Sequence, residues 1–166
     1  MTRRALHWLV DGNNLMHLLP EIMWSAAPAA QPAALAALLK PYRDANSLKL
    51  TLFFDGGAEL RQTRLSGIAV VFAGPEKSAD QVILERLRQS AGQTLGLITN
   101  DQALAAQARQ SGARLLEASA LARKLKLSQG LENDETVGWD FTTRKKGPAR
   151  RLPKALRRQA NLLDKL

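Results

Sequence analysis

The chain has 166 residues, no cysteine and a formal net charge of +9. That length supports one domain with a proper core and is too short for two ordinary ones; the lack of cysteine excludes a disulfide framework and a thiolate metal site, and suits a reducing compartment such as the cytoplasm. No stretch approaches the roughly 18 continuous apolar residues of a membrane span, and the apolar run after Arg3 and Arg4 is cut at Asp11, too soon for a signal peptide.

In chain order, LHWLVD (6–11) reads as a short apolar strand that Gly12-Asn13-Asn14 punctuates before a helical start at LMHLL. Pro20, Pro28 and Pro32 mark 20–32 as a loop or broken helix, and a helix follows until Pro41 kinks or ends it. KLTLFFD (49–55) is a second strand, terminated by Gly56-Gly57, and IAVVFA (68–73) a third, closed by Gly74-Pro75. Ser78 is placed to cap a helix whose Val82, Ile83 and Leu87 share a face. TLGLIT (94–99) is a fourth strand, DQALAAQARQ a helix closed by Gly112, ARLLEA (113–118) a fifth strand and SALARKLKL a last short helix. Continuously apolar strands separated by helices predict a parallel sheet covered on both faces, the α/β doubly wound class.

The charge is unevenly spread. Residues 144–166 hold nine Lys/Arg against the single acid Asp164, whereas the rest of the chain is nearly balanced at fifteen basic to fourteen acidic residues. This divides the chain into a domain over 1–130 and a basic extension over 131–166, in which Pro153 can open an amphipathic helix. A basic arm on a neutral body suits a polyanion, because each phosphate it neutralises releases condensed counter-ions. Arg144, Lys145, Lys146, Arg150, Arg151, Lys154, Arg157 and Arg158 are the residues expected to contact nucleic acid; solubility or a protein partner is the alternative use. Trp139 and Phe141 beside them can stack a base or pack the root of the arm.

Four aspartates stand where strands or their loops run into the next helix: Asp11, Asp55, Asp80 and Asp101. In a doubly wound sheet, ligands lie outside the carboxyl ends of the strands, so all four can project into one crevice. Bare carboxylates repel a phosphodiester; carboxylates holding a divalent cation reverse that sign, and the cation can activate water. Oxygen donors with no cysteine and no histidine pair favour Mg²⁺ or Mn²⁺ over zinc. Taken singly, each aspartate also has a structural use, in an Asp-Gly turn or at a helix N-terminus. His17 follows on the first helix and can approach substrate or serve only packing; His7 reads as structural, and Glu85 falls on a different helix face from Asp80. No GxGxxG or Walker lysine pattern accompanies Gly56-Gly57, which argues against a nucleotide cofactor.

The segments VDGNNLMH, LTLFFDGG, VVFAGPEKSADQVILERL and LGLITNDQALAAQARQSGARLLEASAL, in that order, resemble the successive motifs of the NYN (YacP-like) branch of PIN-like ribonucleases over roughly residues 6–125. The resemblance implies a PIN-like three-layer α/β/α sandwich with a mainly parallel sheet, and an acidic cluster that binds divalent metal for RNA cleavage. It makes Asp11 and Asp80 core ligands, adds Asp101, and sets Asp55 beside them as a further ligand or an outer group. Asn13, Asn14, Ser78, Thr99 and Asn100 lie in the same motifs and would orient ligands or meet substrate phosphate. The expectation is therefore a metal-dependent endoribonuclease; a non-catalytic RNA-binding protein on the same fold is the alternative.

Overall fold

The structure, a computed structural model, describes residues 6–90 and 94–130. The chain lays down β1 (His7–Asp11), α1 (Gly12–His17), α2 (Pro20–Met23), α3 (Gln31–Asn46), β2 (Lys49–Phe54), β3 (Gly56–Leu65), β4 (Ile68–Gly74), α4 (Ala79–Gln89), β5 (Leu95–Ile98), α5 (Gln102–Gln110), β6 (Arg114–Leu116) and α6 (Ala118–Ser128). The six strands form one sheet in the order β3-β4-β2-β1-β5-β6. All pairings are parallel except β3 with β4.

Side chains alternate across the sheet with period two, and both resulting faces are apolar. Trp8, Val10, Leu52, Phe54 and Val70 pack on one face with Leu15, Leu35, Leu39, Leu121 and Leu125 from α1, α3 and α6. On the opposite face Leu9, Phe53, Val71 and Leu97 meet Val82, Ile83 and Leu87 of α4 and Leu104 of α5. These two cores make the three-layer α/β/α sandwich. The chain builds outward from β1 through β2 to β4 on one side, then crosses to β5 and β6 on the other. The strand order therefore reverses between β1 and β5, and the crevice at their carboxyl ends is the switch point where such sheets bind ligands.

Two expectations change, at Gly56-Gly57 and at Pro41, and the 20–32 segment is the broken helix expected. Gly56-Gly57 does not close the second strand into a loop but opens β3, an exposed antiparallel edge strand with a register shift between Gly56 and Arg61. Its polar sequence, GGAELRQTRL, carries no apolar alternation because neither face of it is buried, so the periodic signal is missing. The segment 20–32 holds α2 and a 3-10 turn at Pro28–Ala30, with prolines at starting positions where a missing N–H is harmless. Pro41 does not end α3, which continues to Asn46; buried Leu35, Ala36 and Leu39 anchor it, and beyond the proline Arg43 donates to the Gly67 carbonyl at 2.7 Å.

Also in α3, the Tyr42 hydroxyl oxygen is buried with no hydrogen-bond partner among the described residues, and burial raises the proton affinity of its phenolate. An unsatisfied buried hydroxyl costs about 1–3 kcal/mol. Tyr42→Phe should therefore leave stability unchanged or raise it by about 1 kcal/mol, as read from the midpoint of urea unfolding. A loss above that size would show that the hydroxyl has a partner.

Candidate functional site

The carboxyl end of β1 delivers Asp11, which is 7% exposed. Its side chain also caps α1: Oδ1 accepts from the Asn14 amide at 3.3 Å, and Oδ2 accepts from the Thr99 hydroxyl at 3.3 Å. Thr99, 4% exposed at the end of β5, accepts in turn from the Asp101 amide at 3.1 Å. One hydroxyl thus couples the two strands that flank the switch point. Asp101 is the N-cap of α5, with Oδ1 accepting from the Leu104 amide at 3.0 Å.

The expected polar residues divide by what their atoms already do. Asn14 Oδ1 accepts from the Asn100 amide at 2.9 Å, and Asn100 Oδ1 accepts from the Ser119 amide at 3.0 Å, a chain of amides that ties α1 to the start of α6. Ser78 accepts from the Gln81 amide while the Gln81 side chain accepts from the Ser78 amide, a capping box that starts α4. Thr99, Asn14, Asn100 and Ser78 are therefore scaffold for the carboxylates through these atoms. Asn13 Nδ2 donates to Asp55 Oδ2 at 2.9 Å, and the other Asp55 oxygen, Oδ1, accepts from the Ala79 amide at 2.7 Å.

The carboxylate of Asp80, in the first turn of α4, makes no hydrogen bond or ion pair among the described residues. Burial raises its proton affinity first, and the charges of Asp11, Asp101 and Asp55 add to that. Asp11 is raised for the same reasons, burial first, against the hydrogen bonds from Asn14 and Thr99 that favour its ionised form. All four aspartates thus lie in one electrostatic neighbourhood. Glu85 stands apart in an ion pair with Lys77 at 2.8 Å, and His17 lies exposed in the last turn of α1. His7 bonds to Thr51 at the opposite end of β1, at 2.8 Å. The arm residues Arg144 to Arg158, with Trp139 and Phe141, lie outside the described residues.

The family model of the YacP-like NYN domain matches residues 8–163. The chain belongs to that family. The match runs beyond the four motifs and through most of the basic segment. The YacP-like NYN family is of ribonuclease type, so nuclease hydrolysis is the activity at family level. Two solved structures share the fold: Rae1 (YacP) from Bacillus subtilis, with TM-score 0.57 and 22% identity over 75% of each chain, and a mutant of that protein, with TM-score 0.60 and 19% identity over 75% of this chain and 77% of the other. A comparison with curated proteins finds no match.

Whether the residues of this YacP-like NYN domain suit a metal ion turns on donor type and free valence. The donors are hard oxygens, and the Asp80 carboxylate has no partner among the described residues. Among the described residues, however, no group of three or more His, Asp or Glu side chains is set to hold an ion alone. Hard oxygen donors are the kind that Mg²⁺ or Mn²⁺ takes, and Mg²⁺ commonly uses one or two carboxylates beside water and substrate phosphate. The scaffold is only partly legible in the sequence: the donors to Asp55 and Asn100 include the backbone amides of Ala79 and Ser119, which no side-chain motif announces.

Proposed function

We propose that the protein is a divalent-metal-dependent endoribonuclease whose Asp11 and Asp80, with Asp101, hold Mg²⁺ or Mn²⁺ at the β1/β5 switch point. The observation that carries this reading is the concentration of carboxylate there: the charges of Asp11, Asp101 and Asp55 raise the proton affinity of Asp80, those of Asp55 and Asp101 raise that of Asp11, and the Asp80 carboxylate has no cation or donor of its own among the described residues. Such a site repels an RNA phosphate unless a cation intervenes. When bound, the ion supplies activation of the attacking water and neutralisation of charge developing on the phosphodiester. The chain's own part is to favour the ionised form of Asp11 through Thr99 and the Asn14 amide, and to hold the Asp11- and Asp101-bearing segments in register.

The absence of a ready three-ligand group among the described residues favours a second reading, an RNA-binding protein without turnover on the same fold. Incubating labelled RNA with Mn²⁺ separates them. Cleavage by the native protein that is lost in an Asp11→Asn, Asp80→Asn double variant supports the nuclease; binding with no cleavage by the native protein supports the alternative, and cleavage that survives both substitutions overturns the metal site.

The basic arm is assigned to RNA, free or within a ribonucleoprotein such as the ribosome, and a cysteine-free chain suits the reducing cytoplasm where such RNA is found. No helix among the described residues is long and apolar enough to cross a membrane. Truncation before Arg144 removes nine of the 24 Lys/Arg residues. For every phosphate that the shortened chain leaves un-neutralised, the slope of log affinity against log salt should fall by about 0.7 on single-stranded RNA. Titrations at several salt concentrations should show weaker, flatter binding; unchanged affinity and slope would assign the arm elsewhere.

A further inference from the structure

We infer that Asp55 is a positioning residue, a clamp between the segments that carry Asp11 and Asp80. The inference rests on the nuclease reading above. Asp55 follows β2 directly, and each of its carboxylate oxygens accepts a hydrogen bond: Oδ1 from the Ala79 amide at 2.7 Å and Oδ2 from Asn13 Nδ2 at 2.9 Å. Ala79 immediately precedes Asp80, and Asn13 lies two residues after Asp11. One carboxylate therefore ties the start of α4 to the start of α1 across the end of the sheet.

The placement makes chemical sense. The first amides of a helix lack partners within it, and at α4 Asp55 takes that of Ala79 while Ser78 takes that of Gln81. A carboxylate on a helix N-terminus is a charge-assisted acceptor and is favoured there by the helix dipole. With these amides satisfied by Asp55 and Ser78, the Asp80 carboxylate is left with no hydrogen bond among the described residues. Its oxygens stay available, and its direction is set by a helix that is pinned one residue earlier. Coupling residues of this kind typically contribute about 10–100-fold to metal affinity or activity.

Clamp and ligand differ in what asparagine can replace. In Asp55→Asn, Oδ1 still accepts from the Ala79 amide, and the new Nδ2 can donate to Asn13 Oδ1 once the Asn13 amide rotates. Asp55→Ala loses both bonds. Three readouts on the full chain distinguish the roles: hydrogen exchange of the Ala79 amide, Mn²⁺ affinity of the free protein, and the rate of RNA cleavage. A clamp gives protected Ala79 in the native protein and in Asp55→Asn, with loss of protection in Asp55→Ala. Mn²⁺ affinity and cleavage should then fall less than tenfold in Asp55→Asn and about 10–100-fold in Asp55→Ala. The clamp is overturned if Asp55→Asn loses Mn²⁺ affinity as fully as Asp11→Asn does, or if Asp55→Ala leaves Ala79 protected. Should the native protein fail to cleave RNA, the nuclease reading fails while the exchange of Ala79 still decides the clamp.

Discussion

Replacing Asp11 or Asp80 by asparagine is expected to make the metal-free protein more stable at neutral pH while lowering RNA cleavage by on the order of 10³. On the proposed metal site, the activity loss follows from removing a ligand to an ion that would stabilise the transition state by several kcal/mol, at about 1.4 kcal/mol per tenfold. The stability gain follows from electrostatics. Both carboxyls bind a proton more tightly in the folded protein than at their ordinary value of 3.8, through burial first and neighbouring aspartates second. The folded state therefore gains stability relative to the unfolded chain as pH falls through the raised values, and that gain is complete below about pH 3.8, where both states are protonated. Above the raised values the ionised pair works against folding.

Thermal unfolding of each variant beside the native protein isolates this contribution from that of His7, whose proton affinity is lowered by burial, by Arg86 and by Lys49, and which opposes stability on acidification below its ordinary 6.5. The asparagine variants should melt a few degrees higher at pH 7, at about 2–4 °C per kcal/mol for a chain of this size. The advantage should shrink toward pH 4. Adding Mn²⁺ should raise the native midpoint and not that of the variants, since only a protein that binds the ion is stabilised by it. An Asp80→Asn variant that melts lower than the native protein at neutral pH would mean that Asp80 has a stabilising partner, and would remove the electrostatic case for a cation.

The second large effect is expected at Gly12, directly after Asp11. A Cβ there would stand 2.4 Å from Phe54 Cε1, 2.6 Å from Cζ and 2.8 Å from the Phe53 carbonyl oxygen. The ring has little room to yield, because Phe54 is 2% exposed and stacks on Phe72 with centroids 5.8 Å apart, and the carbonyl belongs to a strand paired on both sides. Gly12→Ala should cost about 1–3 kcal/mol by overpacking, seen as a lower denaturation midpoint with an unchanged slope. Cleavage should fall as well, since α1 must lift off β2 and take the Asn14 amide and Asn13 with it. Stability within about 0.5 kcal/mol of native, the range of a neutral surface change, would contradict the close packing of α1 on the end of β2.

Gly12 also illustrates what can be read from the residues alone. Asp11-Gly12 has the look of a turn dipeptide, and the sequence places it correctly at the end of a strand; the tight contact with Phe54 depends on α1 crossing the end of β2, a pairing that local chemistry does not announce. The parallel strands and the faces of α4 and α5 are legible because they bury continuous apolar runs and helical stripes. β3 is not, since an exposed edge strand has no buried face to imprint a period on its sequence. At the site, the four aspartates are recognisable from their places after strands. Their bonding is not legible: among the described residues the Asp80 carboxylate has no partner, while Asp55 joins the Ala79 amide to Asn13 because of where these fall in space. Ser78, Thr99, Asn14 and Asn100 lie in the expected motifs, yet they spend hydrogen-bonding atoms on caps and cross-links.

The most direct measurement is Mn²⁺ binding followed by electron paramagnetic resonance of the free ion, on the native protein and on the Asp11→Asn, Asp80→Asn double variant. The expected result is saturable loss of the free-ion signal with the native protein and none with the folded double variant at the same concentrations. Equal binding by the two proteins would contradict the assignment of these aspartates as the metal centre.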